Sequence, residues 1–145
     1  HYEVSSFAKK GFQCQHNINY WSYTPYIGLG PGAYSFIEPY RYVNPKTITG
    51  YIKNPTPFSV KNNLEYLCPK TLFNDELTAR FRLFNSIDLT IFNKKYNIDI
   101  NKKHKQLLEK LNKENYIKQN NNTIQCTQKG LFILNTLVEQ FFLTE

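Results

Sequence analysis

One histidine stands where its chemistry could serve a metal or a flat ring system: His16, in the run Cys14-Gln15-His16-Asn17-Ile18-Asn19-Tyr20-Trp21. A neutral imidazole is a good axial ligand for heme iron, and aromatic rings near it can pack on a porphyrin face. Tyr20 and Trp21 follow at offsets that would let an irregular loop fold them around a macrocycle. Asn17 is suited to fixing the loop or orienting the imidazole, not to touching iron. On the residues alone, a lone histidine beside asparagine is more often a hydrogen-bonded structural side chain. Both roles stay open.

Other groups carry weaker signals. Gly28, Gly30 and Gly32 would let a backbone approach a ligand closely, although GLGPGA lacks the spacing of a dinucleotide fingerprint and also suits a tight corner. Arg41 could fork onto a carboxylate such as a porphyrin propionate, or stand as an ordinary exposed arginine. Glu3 and Ser5 alternate onto one face of an extended segment, as polar support for a site. Lys94, Lys95, Lys102, Lys103 and Lys105 form the local maximum of positive charge. Glu109 and Glu114 interrupt the lysines that follow, so a solvated face is favoured over a DNA contact and nucleic acid is an unlikely partner. His1 and His104 read as solvated.

Cys14, Cys68 and Cys126 are far apart and form no CxxC pair. They suit neither a disulfide framework nor a zinc site and cannot assemble an iron–sulfur cluster by themselves, so each reads as a buried or partly buried thiol in a reducing cytoplasm. Among 145 residues, the net charge of +7 is spread over both halves, which argues against one dedicated nucleic-acid module. No apolar run approaches the ~18 residues of a membrane span. The chain lacks an initiating Met and a signal-peptide pattern, and it reads as a fragment of something longer. Eleven Phe and eleven Tyr supply ample surface for a packed core.

The elements that must position these groups follow from pattern. Tyr2 to Phe7 alternates as a strand, residues 12–25 lack a period and read as an ordered loop, and 26–36 is a strand interrupted by glycines, with 41–44 as a short partner. A strand edge left without its neighbour at residues 2–7 would make a homo-oligomer possible. Thr47 to Asn54 suits a short helix, and Pro55, Pro57 and Pro69 mark breaks. Helices are predicted from Asn74 or Asp75 through Ser86, from an Asp88 cap through Tyr96, and over about 102–115. A hairpin turning on Asn120-Asn121-Asn122 follows, then a closing helix capped by Thr127 with Leu131, Leu134, Val138 and Phe141 inward. This is the order of a winged helix. The predicted division is 1–57 and 58–145, in an α+β chain.

Taken in order, YEVSSFA (2–8), the HNxxYW run at 16–21, GLGPGAYS (28–35), Arg41-Tyr42 with Asn44, and Thr127…Gly130…Asn135 resemble the radical SAM family of oxygen-independent coproporphyrinogen III oxidase-like proteins and heme chaperones. The likeness covers nearly the whole chain and lies in the C-terminal portion of that family. It implies that residues 1–57 are the terminal strands of a partial (β/α) radical SAM barrel with an HNxxYW loop, and that 58–145 are a small winged-helix-like domain. It further implies heme held by His16, Asn17, Tyr20 and Trp21, with His16 on the iron. Gly32, Ala33 and Tyr34 would lie beside S-adenosylmethionine in an intact protein that also carries a [4Fe–4S] cluster on a CxxxCxxC motif absent here. The implied partners are heme or porphyrin and the missing N-terminal barrel. The function implied is heme binding and delivery by a heme chaperone, with this chain catalytically inert alone. A true coproporphyrinogen III dehydrogenase of porphyrin biosynthesis and a winged-helix nucleic-acid module are the alternatives.

Overall fold

The computed structural model describes residues 1–55 and 63–143; the expected boundary at 57/58 lies outside them. The chain divides into two compact units, one of residues 1–23 with 73–145 and the other of residues 24–72. The first is assembled from both ends of the chain, and the second is the sequence between them.

At the N-terminus the expected strand is not formed. Glu3 bridges Ser6 and Leu83 singly, because the Ser6 N–H turns back to the Glu3 carbonyl and the Ser5 N–H is taken by the Glu3 carboxylate. Local hydrogen bonds thus outcompete a ladder there. The strand edge invoked for self-association is absent with it. The segment read as a loop instead holds a helix, Gln15–Trp21 (α1). None of its residues is fully buried, so it leaves no apolar period to read.

In the second unit, Tyr34–Ile37 (β1) pairs antiparallel with Tyr40–Val43 (β2), as the sequence predicts for residues 41–44. Of the rest of the expected 26–36 strand, only Tyr26 joins, by one bridge to Phe36. Gly30 and Gly32 have φ of 101° and 70°, a left-handed backbone that ends extended structure. Ile48–Lys53 (α2) begins on a Thr47 cap whose hydroxyl accepts the Gly50 N–H. Leu64–Tyr66 (β3) then adds to β2.

Pro69–Arg80 (α3) starts earlier than predicted. Proline breaks a helix interior but suits a first turn, so Pro69 opens the helix it was expected to bar. The helix also ends sooner, because residues 82–84 bond with residues 2–4. Ile87–Asp88 (β4) was not foreseen; Asp88 also caps Leu89–Tyr96 (α4), as predicted. The expected single helix over 102–115 is two, Ile100–Lys103 (α5) and Lys105–Lys113 (α6), broken at His104. Ile117–Asn120 (β5) and Thr123–Cys126 (β6) form the expected hairpin, and β4 joins it in the order β4-β6-β5. The closing helix is split into Gln128–Leu131 (α7) and Leu134–Glu139 (α8). The α7 turn is pressed close, since a Cβ on Gly130 would lie 2.2 Å from the Tyr116 carbonyl oxygen.

The core of this unit gathers Phe73, Leu77 and Phe81 of the α3 region with Phe92, Leu108, Leu111, Ile124, Leu137 and Phe141. Beside it sits the buried carboxylate of Glu76. Glu76 accepts Arg80 Nε at 2.6 Å, Lys95 Nζ at 2.7 Å and the Tyr96 hydroxyl at 2.6 Å. Burial pushes its pKa up, but the three donors outweigh burial and hold it below the ordinary carboxylate value. His104 packs against Phe141, ring centroids 5.3 Å apart, with Nε2 buried and unbonded. It is not solvated, and burial, helped by the Lys103 charge, lowers its pKa.

Both groups bind protons less readily folded than unfolded, so each contributes stability that is full above its unfolded value and lost as pH falls through its folded one. The urea midpoint should therefore fall in two stages on acidification, one starting below the ordinary imidazole value of 6.5 and one below the carboxylate value of 4.5. His104→Leu should flatten the first stage only. Glu76→Ala should cost about 2 kcal/mol at neutral pH, the worth of hydrogen bonds to charged groups whose cations can still reach water. A single featureless decline, or a neutral Glu76→Ala, would contradict this account.

Candidate functional site

The helical period separates the residues of α1 into two faces. Asn17, Ile18 and Trp21 are half-buried, while His16, Asn19 and Tyr20 are exposed. The half-buried face is held by cations over rings. The Arg82 guanidinium lies 5.2 Å from the Trp21 ring centroid, and the Lys95 ammonium lies 5.8 Å from that of Tyr23. Lys95 is fixed in turn by Glu76. Tyr23 has φ of 59°, a left-handed conformation rare for a bulky residue.

On the outer face, the His16 and Tyr20 rings meet edge-on at 4.6 Å and 79°. Among the described residues no hydrogen bond is made by the His16 imidazole, so the hydrogen-bonded structural role left open by the sequence is not the one it plays. His16 and Tyr20 are brought together, by a helix and not by a folded loop, while Trp21 turns to the half-buried face. Asn17 shares the row of Trp21.

In the other unit, the glycine loop is clamped from beneath by Asn44. Its buried amide donates to the Gly28 carbonyl at 3.0 Å and the Gly30 carbonyl at 2.9 Å. The Gly32 N–H donates to Pro45, the Ala33 N–H to Gly30, and the Ala33 carbonyl accepts from the Asn44 N–H. Tyr34 is exposed. Gly28 must be glycine, because a Cβ there would lie 2.1 Å from the Tyr34 carbonyl oxygen. The Asn44 Oδ1 is buried without a hydrogen-bond partner.

The remaining candidates are placed differently from their sequence reading. Arg41 pairs with Glu65 at 3.3 Å. Glu3 is buried but Ser5 is exposed, so they share no face. His1 is the exception: it is exposed, as read from the sequence, with its ring stacked on Phe7 and edge-on to Phe84. Cys126 is buried, which lifts its thiol to about 11, whereas Cys14 and Cys68 are exposed. A hydrogen bond with the Thr71 hydroxyl lowers the Cys68 thiol. Lys95 is withdrawn from the lysine group by Glu76. Sequence reasoning passed over Lys95, Arg82 and Glu76 as site residues, because each acts on α1 directly or through a neighbour far away in the chain.

Residues 67–133 match the model of the HemN C-terminal domain. Proteins called heme chaperone HemW align along the whole chain: that of Lactococcus lactis is 29% identical over 100% of this chain and 38% of its own length. That of Haemophilus influenzae is 33% identical over 99% of this chain and 37% of its own. The chain is thus similar to HemW proteins along its whole length, and to the HemN C-terminal domain over residues 67–133. It spans little more than a third of the length of these HemW relatives. The solved structure of the Escherichia coli radical SAM enzyme coproporphyrinogen III oxidase (HemN) superposes with a TM-score of 0.58 over 82% of this chain and 28% of that one. At 16% identity that likeness speaks for the fold, a mixed α and β arrangement with small sheets. Among the described residues no helix is long and apolar enough to cross a membrane, and no three His, Cys, Asp or Glu side chains gather as a metal site.

The clamp under this HemN/HemW-like loop is testable. Asn44→Ala should destabilise the chain by about 2–3 kcal/mol, two buried hydrogen bonds with two carbonyls left unmet. Gly28→Ala should be worse, since backbone must move. Urea unfolding followed by circular dichroism checks both; a Gly28→Ala variant as stable as the parent chain would contradict the close approach.

Proposed function

We propose that this chain is the heme-binding part of a heme chaperone, with His16 as the axial ligand and the Tyr20 and Trp21 rings beside it. The observation that carries this reading is the exposed His16 imidazole, free of hydrogen bonds among the described residues and edge-on to Tyr20. Bound heme would supply an iron that takes a neutral imidazole nitrogen. The helix that presents this imidazole is anchored through its opposite face. Asn17, on the anchored row, serves docking in this reading. The alignments along this chain with proteins named heme chaperones, each over little more than a third of the relative's length, favour this over a coproporphyrinogen III dehydrogenase, with whose solved structure the likeness is one of fold.

The three cysteines do not fit a [4Fe–4S] cluster, since among the described residues no metal-ligating group forms around them. Radical chemistry is therefore assigned to polypeptide outside this chain, which is inert alone. Residues 1–57 are read as the end of a partial radical SAM barrel, where Gly32, Ala33 and Tyr34 would border S-adenosylmethionine. The orphaned Asn44 Oδ1 under that loop fits a donor brought by such a ligand. From α3 onward, the order helix, strand, helices, hairpin is read as winged-helix-like. With Lys95 committed to Glu76, a nucleic-acid role for it is disfavoured. The setting proposed is cytoplasmic.

Hemin added to the purified chain should shift its Soret band, and His16→Ala should weaken binding about tenfold or more, equivalent to about 1.4 kcal/mol. An unshifted band, or a His16→Ala titration superimposable on the parent, would defeat the proposal.

A further inference from the structure

We infer that Arg82 is the carboxylate-binding residue of the α1 site and receives a porphyrin propionate beside Trp21; the inference rests on the heme reading above. The sequence offered Arg41 for such a role, but Arg41 is already paired with Glu65. Arg82 differs. It is half-buried, and among the described residues its guanidinium makes no hydrogen bond or ion pair, only the contact over Trp21 at 5.2 Å.

The carboxylates that could have answered it are turned elsewhere. Glu3 belongs to the segment that pairs with residues 82–84, yet it accepts the Ser5 N–H. Glu76 is filled by Arg80, Lys95 and Tyr96. A partly desolvated cation without a counter-charge is unfavourable, and a cation–π contact at a part-exposed site offsets only about 1 kcal/mol of that.

A second unmatched donor lies alongside. The Trp21 Nε1–H is buried with no acceptor. An arginine and an indole are both donor-only groups. What the pair lacks is an acceptor-only group, which is what a carboxylate is. A guanidinium stacked on a ring keeps its edge N–H groups for a forked carboxylate contact. One row further round α1 stands His16, the group proposed for iron. An imidazole for the metal and a guanidinium for a side-chain carboxylate, on adjacent rows, match the two features of heme that a simple aromatic ligand lacks.

The test compares hemin with hemin dimethyl ester, which keeps iron and ring but has no free carboxylate. Both are titrated against the parent chain, Arg82→Met and Arg82→Lys in the same mild detergent. The parent should bind hemin about tenfold or more tightly than the diester, the preference should vanish in Arg82→Met, and Arg82→Lys should keep part of it. The Soret position should stay constant throughout, since the iron ligand is untouched. Trp21 is the sole tryptophan, so its emission reports whether α1 stays docked in the variants. Should Arg82→Met undock it, the hemin-to-diester ratio on the parent chain alone decides. Equal affinities on the parent, or a preference that survives in a docked Arg82→Met, overturns the role of Arg82 and leaves the heme site standing. No Soret change with either compound removes both.

Discussion

A carboxylate withdrawn from solvent stays charged only if donors surround it, and Glu76 is met by Arg80, Lys95 and Tyr96. Arg80 is its own helical neighbour one turn on, but Lys95 and Tyr96 come from the last turn of α4. Glu76 therefore ties α3 to α4 at a point where apolar packing alone would leave their register free. It does so in contact with the core, since Tyr96 also meets Phe73 and Phe92. The same ammonium that completes the Glu76 shell lies over Tyr23. The placement of α1 is thus transmitted from a buried charge through one lysine to the residue that follows the helix.

That mode of attachment bears on what α1 can do. A helix fixed by a broad apolar stripe spends its aromatic residues on the core. Here none of the α1 residues is fully buried, and the helix is held at its C-terminal end by two cations over two rings. Each such contact is worth roughly 1 kcal/mol, too little to seal the helix down but enough to orient it. The His16–Tyr20 face is consequently left for another molecule, which is the arrangement the heme proposal needs.

What could be read from the sequence tracks how local the governing interaction is. The Asp88 and Thr127 caps were visible because a cap needs only the next three residues. The hairpin on Asn121-Asn122 and the β1–β2 pairing were visible for the same reason. The inward positions Leu134 and Val138 of α8 were found because burial repeats at the helical period. α1 was missed because its attachments, Arg82 and Lys95, lie far along the chain and impose no period. β4 was missed because two residues carry no alternation, and the break at His104 because nothing adjacent announces the contact with Phe141. At the site, the residue types at 16, 20 and 21 were legible, whereas the cations that orient them were not.

The polar groups left unmet are informative by their sign. In residues 24–72 one unmet group under the glycine loop is an acceptor, Asn44 Oδ1. In the unit that carries α1 the orphan beside the site is a donor, Trp21 Nε1, next to an uncompensated guanidinium. A folded chain rarely leaves such groups dry without a reason. The two ask for opposite partners, a donor at the glycine loop and an acceptor at α1, whereas the equally unmet His104 Nε2 is packed on Phe141 and away from both segments. The difference in sign keeps the two proposed contacts chemically separate.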